Sequence, residues 1–189
     1  MTPTDPHQLL VSELREHALV IGDVTLSIGK QASYYVDAKR ALLLPAAFRA
    51  AGELVAAAAR ELGATAVGGM TMGADPIACA ALAAPDGDGL SAFFVRKQRK
   101  EHGLERWVEG PVLEPGTPCL VVEDVVTTGG STVRALERVI AEGLDVRGTV
   151  CVVDRRGGGR EAIEEAGGAP FRALVTIDEL YPDRPDREG

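Results

Sequence analysis

Short apolar runs recur along the chain, and longer segments with helical spacing separate most of them. The runs predict β-strands at residues 65–67, 90–95, 119–123, 148–153 and 171–176. The segments between them predict helices at residues 44–62, 75–83, 131–142 and 160–166. This alternation indicates an α/β fold with a central, mainly parallel sheet flanked by helices. In such sheets, ligands collect at the carboxyl ends of the strands.

The N-terminal part departs from this rhythm. Residues 6–20 predict a helix and residues 24–36 predict a hairpin. Together they suggest a small cap of about residues 1–40 over a core of about residues 41–180. We therefore expect a single domain that includes the whole chain, residues 1–189.

Two further segments lack periodicity. Residues 96–118 have a densely basic beginning, and a loop of that length inside a compact domain is usually functional. Residues 182–189 are charged and contain proline, so this tail is predicted to fray.

The composition narrows the class of protein. Of the 189 residues, 46% are hydrophobic and 25% are charged, a balance expected of a globular protein with a full-sized core. The formal net charge of -8 argues against a nucleic-acid surface, because such surfaces neutralise phosphates with Lys and Arg. No signal-like N-terminus or membrane-length apolar run is visible, so we expect a cytoplasmic protein with no membrane partner. The isolated cysteines Cys79, Cys119 and Cys151 are predicted to be buried core residues.

The most informative segment covers residues 119–132, where an apolar strand ends in Glu123 and Asp124. Small hydroxyl and glycine residues then lead directly into a helix. Free N–H groups at a helix start bind phosphate, and the upstream carboxylates suit sugar hydroxyls or a nearby magnesium ion. The loop lacks the Gly-Lys-Ser/Thr ending of a Walker A sequence and is not Gly-x-Gly-x-x-Gly. The alternative is an ordinary turn with Ser131 or Thr128 as N-cap, which does not account for the adjacent acids.

Residues 96–103 concentrate positive charge in a chain that is acidic overall. Pyrophosphate gains negative charge as it leaves a sugar, and cations aimed at it stabilise the transition state more than the ground state. The alternative is a solvated run of charges.

Both segments resemble one family of enzymes. The sequence Glu-Asp-Val-Val-Thr-Thr-Gly-Gly-Ser at residues 123–131 resembles the phosphoribosyl pyrophosphate (PRPP) motif of type I phosphoribosyltransferases. The pattern Arg-Lys-x-x-Lys-x-His-Gly at residues 96–103 resembles the catalytic loop of orotate phosphoribosyltransferases. The likeness spans roughly residues 7–180 and implies the type I phosphoribosyltransferase fold.

The resemblance assigns PRPP-binding roles to two groups of residues. In the family, the acids Glu123 and Asp124 hold the ribose hydroxyls. The loop that holds the 5-phosphate corresponds to Val125, Val126, Thr127, Thr128, Gly129, Gly130 and Ser131. The basic residues expected to bind pyrophosphate are Arg96, Lys97, Lys100 and His102, with Lys100 as the principal catalyst of the loop. Residues 70–76 match the family's loop that binds pyrophosphate through backbone amides.

The resemblance also implies partners and a metal. Magnesium is expected to arrive on the substrate pyrophosphate, with no direct protein ligand. In the family, the basic loop reaches the neighbouring subunit's site, which implies a homodimer with shared active sites.

Three segments suggest that orotate is the base. Arg155 directly follows a predicted strand, and a guanidinium matches a carboxylate such as that of orotate. In the family, a corresponding Arg and a Thr matching Thr127 contact orotate. Tyr34 and Tyr35 match the segment that covers the base, and because neighbouring strand residues point to opposite faces, one of them is expected to face it. Many relatives have Lys where this chain has Ser27, so Lys30 is a candidate for that cation.

The predicted function is therefore transfer of ribose 5-phosphate from PRPP to orotate, which gives orotidine 5-monophosphate and pyrophosphate in the synthesis of UMP, a pyrimidine nucleotide. Two alternatives remain. A purine phosphoribosyltransferase would keep the phosphate loop without needing Arg155. A non-catalytic regulator that senses PRPP and binds nucleic acid is disfavoured by the acidic charge.

Overall fold

A computed structural model describes residues 5–25, 31–98 and 106–187. The chain begins with helix α1 (Pro6–Glu13), which continues as a π-helical turn (Leu14–Ala18). Strands β1 (Leu19–Thr25) and β2 (Gln31–Val36) then pair antiparallel. The predicted hairpin is confirmed, but the predicted helix through residue 20 was two residues too long. Leu19 and Val20 pair across the hairpin with Val36 and Tyr35, and this pairing suits apolar and β-branched residues better than further helix does.

The remaining elements alternate as the apolar pattern predicts. The helices are α2 (Lys39–Leu42), α3 (Pro45–Leu62), α4 (Asp75–Ala83), α5 (Gly130–Ala141), α6 (Gly159–Gly167) and α7 (Ile177–Leu180). A short 3-10 turn covers Pro85–Gly87. The strands are β3 (Ala66–Met70), β4 (Ser91–Val95), β5 (Val108–Glu109), β6 (Pro118–Val126), β7 (Asp145–Asp154) and β8 (Phe171–Thr176).

These six strands form one sheet in the order β5-β4-β3-β6-β7-β8. All neighbouring pairs are parallel except β4 and β5, which pair antiparallel. The mainly parallel α/β sheet predicted from the sequence is therefore confirmed. Because β3, β4, β6 and β7 run the same way, the loops that follow them meet at one edge of the sheet.

Helices cover both faces of the sheet. One hydrophobic cluster joins α3 and α4 to the sheet and includes Leu10, Leu14 and Tyr34 from the N-terminal elements. A second cluster joins α5 and α6 to the opposite face around Phe93 and Leu136. The N-terminal elements therefore bury their apolar side chains in the same cluster as the sheet, and the division at about residue 40 stays a prediction.

Three expectations need correction. The segment 96–118 is not without structure, because Val108 and Glu109 add a two-residue strand to the edge of the sheet. The tail is not frayed through Arg187, because Arg184 pairs with Asp178 and Asp186. Cys119 and Cys151 are buried as predicted, but Cys79 is exposed on α4. Within the described ranges, no helix has both the length and the apolar character needed to cross a bilayer.

Candidate active site

A cavity of about 220 Å³ opens where the strands of the sheet end. Its walls come from α2, the loop after β3, the segment after β4, the end of β6 and the start of α5. The residues of this wall used below are Lys39, Thr71, Gly73, Lys97, Glu123, Asp124 and Ser131. The parallel sheet therefore brings the acid pair, part of the phosphate loop and one basic residue of the 96–103 segment to the same place.

The two acids of β6 have different surroundings. The Oε2 atom of Glu123 accepts hydrogen bonds from the hydroxyls of Ser131, at 2.7 Å, and Thr132, at 3.3 Å. Burial raises the pKa of Glu123 to about 7, and the neighbouring charge of Asp124 adds to the rise, whereas the Ser131 hydrogen bond opposes it. Glu123 thus links the end of β6 to the first turn of α5 and can exchange a proton near neutral pH.

Asp124 faces the other side of the strand. Its Oδ2 atom lies 3.1 Å from the ammonium of Lys39, and its Oδ1 atom accepts the backbone N–H of Val125 at 2.8 Å. The Lys39 ammonium also lies 3.0 Å from Asp37. Burial alone would lower the pKa of Lys39, but the two carboxylates hold it well above its ordinary value. Asp124 is therefore paired with a permanent cation.

Lys39 was not found from the sequence, because it belongs to no recognised motif and lies 85 positions from its partner Asp124. A loop residue also approaches this acid closely. A Cβ atom on Gly73 would lie 2.6 Å from the Asp124 carboxylate, so the loop after β3 needs glycine there. The same loop is held by a hydrogen bond of 2.6 Å from the Thr71 hydroxyl to Asp75.

The phosphate loop turns into α5 through Gly129, which has a φ of +77°. In the part of the chain that is described, no side chain caps this helix start. The N-cap alternative of the sequence analysis is wrong, because Gly129 occupies the cap position and the Ser131 hydroxyl binds Glu123 instead. The first N–H groups of α5 are thus available to an anion.

A second glycine-rich turn supports the phosphate loop from behind. A Cβ atom on Gly159 would lie 2.8 Å from the backbone nitrogen of Gly129, and one on Gly157 would lie 2.7 Å from the carbonyl oxygen of Thr127. The two turns therefore pack backbone against backbone. Thr127 and Thr128 remain exposed.

Part of the predicted pyrophosphate site lies at the end of β4. Lys97 is exposed and lines the cavity. The guanidinium of Arg96 instead lies 3.1 Å from Glu109 and donates to the carbonyl of Gln98 at 3.2 Å. Lys100 and His102 lie outside the described residues.

The predicted base-binding residues Tyr34 and Arg155 contact each other. The guanidinium of Arg155 lies 5.0 Å from the centre of the Tyr34 ring. Among the described atoms, Nε of Arg155 is buried without a hydrogen-bond partner. Such a donor is costly to bury and suits an incoming carboxylate. Lys30 and Ser27 lie outside the described residues.

The two tyrosines separate as the strand alternation predicts. Tyr34 is 3% exposed, whereas Tyr35 is 37% exposed on the opposite face of β2. The Tyr34 hydroxyl donates to Asp186 at 2.9 Å, and the ring of Tyr181 meets it edge-on at 5.5 Å. The C-terminal tail therefore packs on Tyr34, a contact that no sequence motif indicated.

The acidic side chains of the site could also bind a metal ion. Among the residues that the structure describes, no three His, Cys, Asp or Glu side chains are grouped to hold a metal ion. Asp124 presents one carboxylate to the cavity, and a hard cation such as Mg²⁺ accepts such an oxygen alongside phosphate oxygens and water. The donor set thus fits a metal ion that is carried mainly by a phosphorylated substrate.

A parallel sheet with an acid pair, a glycine turn into an uncapped helix and a facing basic segment defines a type I phosphoribosyltransferase. The chain is 46% identical over 181 residues to orotate phosphoribosyltransferase of Streptomyces avermitilis, covering 95% of this chain and 99% of that protein. The crystal structure of Mycobacterium tuberculosis orotate phosphoribosyltransferase with Fe(III) dicitrate superposes with a TM-score of 0.82 and 41% identity, covering 93% and 98% of the two chains. The chain belongs to the orotate phosphoribosyltransferase family.

A structure of the Mycobacterium tuberculosis enzyme in complex with PRPP is also similar, with a TM-score of 0.78 and 38% identity over 93% of this chain and 98% of that one. No protein-family model matches the chain. The predicted type I phosphoribosyltransferase fold is confirmed.

Proposed function

We propose that this protein transfers ribose 5-phosphate from PRPP to a ring nitrogen of orotate, giving orotidine 5-monophosphate and pyrophosphate. The bond from C1 of the ribose to pyrophosphate breaks as the bond to nitrogen forms, through a cationic, oxocarbenium-like transition state. The observation that carries the proposal is the buried Nε of Arg155 beside Tyr34, which has no hydrogen-bond partner among the described residues. It lies at the same strand edge as the acid pair and the start of α5, which no described side chain caps.

The phosphate end of PRPP is proposed to bind at the turn from β6 to α5. The loop of residues 125–131 is proposed to hold the 5-phosphate, with the backbone N–H groups at the start of α5 as donors, aided by the positive end of the helix dipole. Asp124 accepts hydrogen bonds from the ribose hydroxyls, and Lys39 keeps its carboxylate oriented. Glu123 holds the hydroxyl of Ser131 and contributes to the same wall of the cavity.

The pyrophosphate is proposed to lie between the loop after β3 and the basic segment. Lys97 is the described cation of that segment that lines the cavity, and Arg96, Lys100 and His102 complete the proposed set. Lys100 is the proposed principal catalyst of the loop. Mg²⁺ bound to the pyrophosphate would neutralise part of its charge. All other steps are carried by protein groups that bind, orient and exclude water.

Orotate is proposed to lie between Thr127 and Arg155, with its carboxylate on the guanidinium. Tyr34 contacts that guanidinium directly, so it is the tyrosine better placed to shape the base pocket, and Tyr35 lies on the opposite face of the strand. Lys30 stays a candidate cation at this site. We further propose a homodimer with shared active sites, and the cytoplasmic location stays a prediction.

A spectrophotometric assay tests the proposal. Purified protein with Mg²⁺ and PRPP is expected to consume orotate, seen as a fall in its absorbance, and to release pyrophosphate. Adenine, guanine and hypoxanthine in the same assay test the purine alternative. Turnover of a purine with none of orotate would contradict the proposal, and binding of RNA or DNA without turnover of any base would favour the regulator.

A further inference from the structure

Helix α5 has a second contact with the active site, away from its phosphate-binding start. Arg138 lies eight residues after Gly130, about 12 Å along the helix. Its Nη1 atom donates to the carbonyl oxygen of Arg96 at 2.6 Å, and its Nη2 atom donates to the carbonyl oxygen of Lys97 at 3.2 Å. One guanidinium therefore holds two consecutive peptide groups at the end of β4.

The same end of α5 also contacts Trp107, directly before β5. The guanidinium of Arg138 stacks on the ring of Trp107, with 4.1 Å between its carbon and the ring centre. The backbone N–H of Trp107 donates to Glu142 at 2.8 Å, and its carbonyl accepts the N–H of Arg96 at 2.9 Å. Arg96, Lys97 and Trp107 are thus tied together and to one end of α5.

We infer that Arg138 is a positioning residue for the transfer reaction, acting by fixing the main chain at Arg96 and Lys97 so that Lys97 lines the PRPP cavity. The inference rests on the proposed function. Lys97 and Ser131 line the same cavity, and Ser131 belongs to the helix that carries Arg138. A single rigid helix therefore sets the separation between the phosphate site and the described cation proposed to bind pyrophosphate.

The planar fork of Arg138 is needed for this task. It donates to two carbonyls and stacks on an aromatic ring at once, which a flexible ammonium does less well. Losing the fork would leave the two carbonyl groups without these donors and would let the Lys97 peptide shift. A shift of about 1 Å in a positioning group is enough to cost a large factor in rate.

Steady-state kinetics of Arg138→Met, with Arg147→Met as the matched control, test the inference. Arg147 is an exposed arginine that pairs with Asp145 at the start of β7. Arg138→Met is expected to raise KM for PRPP about 10-fold and to lower kcat, with KM for orotate within about twofold of wild type. Arg138→Lys should recover part of the loss, and Arg147→Met should behave as wild type. An unchanged KM for PRPP in Arg138→Met overturns the inference.

A double-mutant cycle with Lys97→Ala separates positioning from general support of the fold. If Arg138 acts through Lys97, adding Arg138→Met to the Lys97→Ala variant should raise the KM for PRPP by less than about twofold. If the double variant instead shows the product of the two single effects on the KM for PRPP, the inference is overturned. Should Arg138→Met fail to fold, Arg138→Lys carries the test, and a wild-type KM for PRPP in that variant also overturns it.

The affinity for magnesium pyrophosphate, measured by calorimetry, tests this inference separately from the proposed function. A wild-type protein that fails to consume orotate contradicts the proposed function alone. Arg138→Met and Lys97→Ala are then still expected to weaken pyrophosphate binding by similar factors, whereas wild-type affinity in Arg138→Met would overturn the inference.

Discussion

The two halves of the candidate site are built in different ways. The phosphate half consists of the end of β6, the glycine turn and the start of α5, and the Ser131–Glu123 hydrogen bond joins residues only eight positions apart. The base half consists of β2, the loop after β7 and the C-terminal tail, and the Tyr34–Asp186 hydrogen bond joins residues 152 positions apart. One half is specified by local sequence, and the other depends on the packing of distant segments.

This difference has consequences for energetics. In the phosphate half, the 5-phosphate is proposed to bind mainly to backbone N–H groups and a helix dipole, and the Asp124 side chain adds the proposed contact to the ribose. The base half relies on one guanidinium beside one buried ring. Substitutions in the phosphate half should therefore affect turnover with any base, whereas those in the base half should alter the choice of base.

The largest effect is expected from Asp124→Asn. The substitution removes the charge that meets Lys39 and the ribose hydroxyls, and hydrogen bonds to a charged group are worth about 1.5–3 kcal/mol each. We expect kcat/KM for PRPP to fall about 100- to 1,000-fold, with any base that is accepted. Asp86→Asn, which removes an exposed ion pair with Arg60, is the matched control and should keep wild-type kinetics. A fall in kcat/KM for PRPP of less than about threefold would show that Asp124 does not bind the ribose hydroxyls.

Arg155→Met should act on the base alone. Loss of a paired carboxylate contact should lower kcat/KM for orotate about 100-fold, while KM for PRPP stays within about twofold of wild type. Uracil has the same ring without the carboxylate. The ratio of kcat/KM for orotate to kcat/KM for uracil should be high in the wild type and much lower in the variant. Arg156→Met removes an exposed arginine paired with Asp178 and serves as the control. Unchanged discrimination in Arg155→Met would remove Arg155 from the base site.

Gly129→Ala tests whether the phosphate half is set by its backbone. Gly129 has a φ of +77°, and a Cβ atom there would lie 3.0 Å from both the Gly159 carbonyl oxygen and Ile163. Gly63 has a φ of +68° with open space around it, so Gly63→Ala carries the conformational cost without the crowding. Gly63→Ala should lose about 1–2 kcal/mol of unfolding free energy in urea, and Gly129→Ala should lose more because of the crowding. Only Gly129→Ala should also raise KM for PRPP, by about 10-fold, and equal kinetics of the two variants would contradict this account.

The local half of the site is the part that the sequence predicts well. A strand, two acids and a glycine turn into a helix follow each other within residues 119–132, and the structure keeps them together. Alternating apolar runs predict the sheet for the same reason, because each strand and helix carries its own periodicity. Tyr34 was predicted from a family pattern, and Arg155 from the same family and from its position directly after a strand.

The remainder depends on contacts that sequence order does not reveal. Lys39 meets Asp124 because α2 packs beside the end of β6, and Tyr181 and Asp186 meet Tyr34 because the tail folds back. Arg138 has the spacing of an ordinary helix residue, and its two carbonyl contacts follow from how α5 packs on the sheet. Long-range pairings of this kind carry no local pattern to detect.

A last prediction concerns the effect of pH on stability through Glu123, which joins the phosphate half to the core. Its pKa is raised from 4.5 in the unfolded chain to about 7 in the fold, so between these values the unfolded state releases this proton and the folded state retains it. This group therefore makes stability decrease as pH rises from about 4.5 to about 7, with no further change above. Glu123→Gln should remove this contribution, about 1–3 kcal/mol between pH 4.5 and 8 in urea unfolding.

The matched control for that measurement is Glu165→Gln, an exposed carboxyl on α6. Its stability curve against pH should run parallel to that of the wild type, whereas the curve of Glu123→Gln should be flatter or rise across the same interval. Parallel curves for all three proteins would mean that Glu123 is ionised in the fold at mildly acidic pH. The Ser131 hydroxyl would then donate to a charged carboxylate at the start of α5, and the phosphate half would carry that negative charge beside its proposed phosphorylated substrate.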